Sequence, residues 1–127
     1  MLITIYQRAA QIWAVLMLAA RNRQVLSYDI VGKLIGVPRQ GLGRLLEPIQ
    51  SFCLINGYPP LTILVVSDTT GMPGTGFIAS QDIPRHQVAV FGHDWSEVIA
   101  PTPAILEAAV QQRPSNGTTA DEAPASL

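Results

Sequence analysis

The stretch Leu26–Gly57, LSYDIVGKLIGVPRQGLGRLLEPIQSFCLING, constrains this chain most, because its start and stop signals leave room for two short helices and a tight turn. Ser27 is a good N-cap, since its hydroxyl can accept from the free N–H groups of the next turn. Asp29 stands where the helix dipole favours an anion. Ile30, Val31, Leu34 and Ile35 supply an apolar face, and Gly36 is placed to end the helix in a left-handed conformation. Pro38 then opens a second helix, where its missing N–H costs nothing. Val37 is a poor cap there, worse than Ser or Asp by about 1 kcal/mol.

The second helix is expected to bury Leu42, Leu45, Leu46, Ile49, Phe52 and Cys53. Its other face shows Arg39, Gln40, Gly43, Arg44, Glu47 and Gln50. Pro48 predicts a kink or a tight helix–helix join. Asn56–Gly57 and Pro59–Pro60 close the segment. Leu61–Ser67 is short, β-branched and bounded by breakers, and predicts a strand. Asp68–Gly76 is dense in turn residues, and Phe77–Ala79 would be the returning strand. Two helices across a turn followed by strand, loop and strand outline a winged helix-turn-helix. The expected class is α+β, mostly helical, with a small β-wing and added N- and C-terminal helices.

Ile5–Asn22 is the first added helix. Ile5, Ala9, Ile12, Leu16 and Ala19 recur at helical spacing beside a second stripe of Tyr6, Ala10, Trp13, Met17 and Ala20. Its second half is apolar nearly all round, so it must be covered on several sides, as a central core helix or, second, as a homodimer interface. Residues 80–94 suggest a helix capped by Asp82 with Pro84 in its first turn, with a strand over Gln87–Phe91 as the alternative. Trp95, Val98 and Ile99 should pack back on the core. Thr102 caps a last helix opened by Pro103, with Ile105, Leu106, Ala109 and Val110 inward. Residues 1–113 thus form one domain, and the small, polar, proline-bearing residues 114–127 are expected to be a disordered tail.

The formal net charge is −1, but it is unevenly placed. Residues 1–60 hold six basic residues against two acidic ones, for +4, and residues 61–127 hold two against seven, for −5. An anionic partner should meet the first half. Cys53 is the only cysteine, which excludes an intramolecular disulfide and a zinc site built on cysteines, and fits a reducing cytoplasm. The apolar run Ile12–Ala20 has nine residues, whereas a membrane span needs about 20. No targeting segment or membrane association is expected.

From Ser27–Tyr28 opening a helix, through Leu34–Ile35–Gly36 closing it and Pro38 starting the next, to a late strand and a glycine-bearing loop ending at Phe77, the chain resembles the winged-helix domain of O6-alkylguanine-DNA alkyltransferases and their non-catalytic alkyltransferase-like relatives. The resemblance implies that fold and a DNA-facing second helix. It does not extend to the chemistry. The family's reactive Pro-Cys-His-Arg stretch has no counterpart in Leu61–Thr62–Ile63–Leu64–Val65–Val66, its intercalating arginine falls near Leu42, and Cys53 is not in the motif's place. Alkyl transfer is therefore not implied.

No catalytic constellation, cofactor motif or metal-ligand cluster is visible. His86, His93 and Asp94 suit capping or surface roles better than ligation or proton transfer. Cys53 lies on an apolar face and suits a small buried hydrophobe. The Gly71–Gly76 loop lacks the Gly-Lys-Ser/Thr ending of a phosphate-binding loop, and carries no Lys or Arg to grip a phosphate. The readable surface is Arg39, Gln40 and Arg44. Arginine pairs with guanine and glutamine with adenine in the major groove, while Lys33, Ser27 and Tyr28, with Arg23, could hold phosphates. The bland alternative is a solvated helix face. Gly41 and Gly43 point to close approach of something, or to close helix packing. The leading expectation is a non-catalytic regulator or accessory factor that binds double-stranded DNA, paired through its N-terminal helix. The second is a protein-interaction module on the same fold, of adaptor, immunity or antitoxin type.

Overall fold

The computed structural model describes residues 2–73 and 82–112. Within them the chain is mostly helical, with five α-helices and a small sheet of two parallel strands, an α+β arrangement. The helices are α1 (Ile5–Arg21), α2 (Tyr28–Ile35), α3 (Leu42–Asn56), α4 (Ile83–Gly92) and α5 (Pro103–Gln112). The strands are β1 (Leu26–Ser27) and β2 (Val65–Val66), with Leu26 opposite Val65 and Ser27 opposite Val66.

The centre is α1, which packs against α2, α3, α4 and α5. Thr4 starts it with a capping box, accepting from the Gln7 amide at 3.1 Å while Gln7 Oε1 accepts from the Thr4 amide at 2.8 Å. Both apolar stripes predicted for this helix are used inside the molecule: Ala9, Ile12, Trp13, Leu16, Ala19 and Ala20 are buried. The core reading holds, and α1 leaves Gln7, Gln11, Ala14 and Leu18 outside. Trp13 belongs to an aromatic cluster. It meets Phe52 edge-on at 5.4 Å and Trp95 at 5.8 Å. The Trp95 indole N–H is satisfied by the Val90 carbonyl at 2.8 Å.

Several predicted boundaries are confirmed by the caps. Asp82 Oδ1 accepts from the Arg85 amide and starts a helix, so Gln87–Phe91 is not a strand. Thr102 Oγ1 accepts from the Ile105 amide at 3.2 Å and starts α5. Other expectations need correction. Leu61–Leu64 forms a 3-10 turn rather than the first part of a strand, and only Val65–Val66 is extended. All of these residues are buried, and a fully buried apolar run carries no periodicity to separate strand from helical turn. The pairing partner of β2 is β1, a strand not anticipated. A tight turn follows, in which the Ser67 amide donates to the Met72 carbonyl, with an antiparallel bridge from Val66 to Pro73. The expected returning strand Phe77–Ala79 and the expected tail 114–127 lie outside the described residues.

Packing also reassigns faces. Ile30 and Leu34 are exposed, and the buried side of α2 is Val31, Gly32 and Ile35. Gln50 is buried rather than outward, because α3 is covered by both α1 and α5. Pro48 neither stops α3 nor divides it into two helices: α3 runs through it without a break. Ile99 and Ile105 face solvent, at 87% and 45% exposure, whereas Trp95, Leu106 and Ala109 enter the core.

Candidate nucleic-acid interface

The α2–α3 junction is built around Gly32. Its carbonyl accepts from two amides, Gly36 at 2.8 Å and Val37 at 2.9 Å, which anchors the chain reversal. Gly36, at φ +83°, supplies the left-handed residue this reversal needs. A Cβ on Gly32 would lie 2.5 Å from the Val37 carbonyl oxygen, so only glycine lets the turn fold down onto α2. Arg8 of α1 ties down the same end of α2, donating to the Ile35 carbonyl at 2.8 Å, where a cation also meets the negative pole of the helix.

The second helix does not begin at Pro38, as its sequence suggests. Pro38 is extended, Arg39–Gly41 form a 3-10 turn closed by the Gly41 amide on the Pro38 carbonyl, and α3 starts at Leu42. Neither start has a side-chain cap. Val37 and Pro38 offer no oxygen for one, so the tighter i→i+3 bond satisfies the first amide instead. Arg39 and Gln40 therefore stand on the turn leading into the helix, and Arg44 stands in its first turn.

Lys33, Arg39, Gln40 and Arg44 are all exposed, and Ser27 and Tyr28 are half-buried. Ser27 Oγ accepts from the Ile30 amide at 3.1 Å and is occupied as the cap of α2. Lys33, Gln40 and Arg44 make no ion pair or side-chain hydrogen bond among the described residues. Arg39 is engaged. Its Nη1 lies 3.4 Å from Asp68 Oδ2, with hydrogen-bond geometry, and 3.8 Å from Asp29 Oδ1. This pairing across 29 residues has no signature in the sequence. Gly43 has open space around the position of a Cβ, and Gly41 would meet only a Val37 methyl at 3.4 Å. Neither glycine is required for helix packing. Gly32 is the glycine that packing requires.

Leu42, near which the resemblance places the alkyltransferase family's intercalating arginine, is fully buried. This leucine is packed in the core and does not reach the surface. Cys53 is buried as well, and burial pushes its thiol up to about 11 against a small opposing effect of a hydrogen bond with the Leu61 backbone. It remains a protonated thiol at neutral pH, unsuited to nucleophilic attack. Asp94 caps the 3-10 turn Trp95–Glu97, and its hydrogen bonds from Ser96 hold its carboxyl below the usual range. His93 lies against Trp95 at 4.6 Å and Tyr58 at 5.6 Å. No group of His, Cys, Asp and Glu side chains suited to a metal ion occurs among the described residues.

A second surface feature lies at the far end of α3. A groove of about 530 Å³ runs between α3 and α5, lined by Phe52, Ile55, Tyr58, Ile99 and Ile105 with Glu97 among the polar groups. Ile55 is about 18 Å along the helix from Gly43, at 1.5 Å per residue. No helix among the described residues is long and apolar enough to cross a membrane. No protein-family model, no curated protein and no solved structure matches this chain.

Proposed function

We propose that this chain is a non-catalytic, cytoplasmic protein of the winged-helix type that binds double-stranded DNA as a regulator or accessory factor. The observation that carries the reading is the exposed and unpaired set Lys33, Gln40, Gly43 and Arg44 around the start of α3. A recognition helix reads base edges with its N-terminal residues. Gln40 and Arg44 have the chemistry for adenine and guanine edges, and Lys33 for a phosphate. Gly43 adds no side chain that would hold a duplex at a distance. The charge imbalance supports the same face, since the basic residues fall in the first half of the chain. The resemblance to alkyltransferase-like domains also supports it, while buried Leu42 and the protonated Cys53 favour binding without base insertion or alkyl transfer.

The test is binding of mixed-sequence duplex DNA by the full chain across a salt series, compared with Lys33→Ala/Arg44→Ala. Each lost phosphate contact should flatten the log–log salt slope by about 0.9. Absence of wild-type binding at about 50 mM salt overturns the reading. Homodimerisation belongs to this proposal through the outer stripe of α1, where Leu18 is 61% exposed. Sedimentation at the assay concentrations separates one bound copy from two.

One observation favours a second reading, a protein-interaction module. The α3–α5 groove exposes three isoleucines, Ile55, Ile99 and Ile105, on one surface. An apolar protein interface there would hold its affinity as salt rises, which a DNA contact would not.

A further inference from the structure

We propose that Asp29 and Asp68 form an acidic clamp that withholds Arg39 from the DNA backbone, so that Arg39 is a reserve phosphate contact whose release tunes affinity. This rests on the DNA-binding reading. Asp29 comes from the first turn of α2, Asp68 from the turn after β2, and Arg39 from the entry to α3. Both carboxylates converge on the same Nη1 atom, at 3.8 Å and 3.4 Å. Two carboxylates on one guanidinium leave this corner with a net negative charge, between Lys33 on one side and Arg44 on the other in sequence.

The two acids are not equivalent. Asp29 is stabilised by the N-terminus of α2 with or without Arg39. Asp68 has no such role: the amides of the turn it occupies, those of Thr69 and Thr70, donate to Ser67 Oγ. Among the described residues the Asp68 carboxylate accepts from Arg39 and not from those amides. All three side chains are substantially exposed, at 56%, 52% and 37% for Arg39, Asp29 and Asp68. Exposed pairs of this kind shift an equilibrium by about fivefold at most. That is too little to hold a fold together and enough to compete with a single phosphate contact. The clamp thus lowers affinity for any duplex that does not place a phosphate or a guanine edge where Arg39 can be exchanged from carboxylate to DNA.

The experiment measures mixed-sequence duplex binding over a salt series for wild type, Asp68→Asn, Arg39→Ala and the double variant. Asparagine keeps the size of the side chain and removes its charge, and circular dichroism checks that each variant is folded. Asp68→Asn should tighten binding about two- to fivefold and steepen the salt slope by about 0.9, as one more phosphate contact is made. In the Arg39→Ala background the same change should lose most of that gain and leave the slope unaltered. An equal gain in both backgrounds would show a general charge effect and overturn the clamp while leaving DNA binding intact. An absence of any gain overturns it equally. If neither wild type nor Asp68→Asn binds at the lowest salt, the DNA reading itself falls, and the clamp with it.

Discussion

Replacing Gly32 by alanine should destabilise the protein even though alanine is the better helix former. The new Cβ would stand 2.5 Å from the Val37 carbonyl oxygen. Carbon–oxygen contacts begin at about 3.3 Å, so α2 and the turn must separate by about 0.8 Å. The obstacle is backbone and cannot rotate away. The turn is also tethered to the substituted residue by two hydrogen bonds, from Gly36 and Val37 to the Gly32 carbonyl. Overpacking of this kind costs about 1–3 kcal/mol, and the tethering places it in the upper part of that range. Alanine recovers up to about 1 kcal/mol of helix propensity. The net loss is about 1–2 kcal/mol, which for a domain of this size lowers Tm by on the order of 5–10 °C. Gly43→Ala is the internal comparison. Nothing lies within 4 Å of its Cβ position, so the propensity gain stands alone and stability should rise by up to about 1 kcal/mol. Urea denaturation of both variants at unchanged m-value gives the two signs directly. A Gly32→Ala protein as stable as wild type would refute the account of the junction.

The buried thiol makes stability depend on alkaline pH. Burial raises the Cys53 pKa from 9.0 to about 11, so the protonated thiol favours the folded state. Its contribution, about 2–3 kcal/mol, is complete below pH 9 and disappears as pH rises through 11; denaturation of wild type against Cys53→Ala over that window isolates it from other groups. Arg8→Ala removes the hydrogen bond to the Ile35 carbonyl and should cost about 1–2 kcal/mol in a urea titration, with Arg8→Lys recovering part of the loss through its charge at the end of α2.

Several helix ends were legible in the sequence because capping is a local affair, although the start of α3 at Leu42 was not. Ser27, Gly36, Asp82, Thr102 and Pro103 each act on backbone groups within four residues, so their type and spacing were enough. The central role of α1 was legible for a similar reason. A helix with two adjoining apolar stripes must have both covered, and Ile12, Trp13 and Leu16 are accordingly buried while Ala14 and Leu18 stay outside. The candidate site was legible as a set of exposed polar side chains, Lys33, Gln40 and Arg44, but not as an arrangement. Gly32 did carry a signal: glycine inside a helix costs about 1 kcal/mol and asks for a reason. The reason is not legible at Gly32 itself, because the close approach concerns a backbone oxygen five residues on, in a turn whose path only the fold sets.

Tertiary structure alone decided the remainder. Whether Leu61–Leu64 extends or coils depends on the space left by α1 and α3, since a run buried on all sides has no polar face to reveal its period. The identity of the strand facing β2 depends on how the chain between Ser27 and Val65 returns, and pairing energy at two residues is too small to leave a local mark. Ile30, Leu34 and Ile99 are as apolar as their buried neighbours, and only the positions of the other helices leave them in solvent. Arg39 and Asp68 are 29 residues apart, and no propensity or motif links them. Local hydrogen bonds and helical periodicity are properties of a segment. Packing and long-range charge pairing are properties of which segments meet, and that is settled only when the whole core closes.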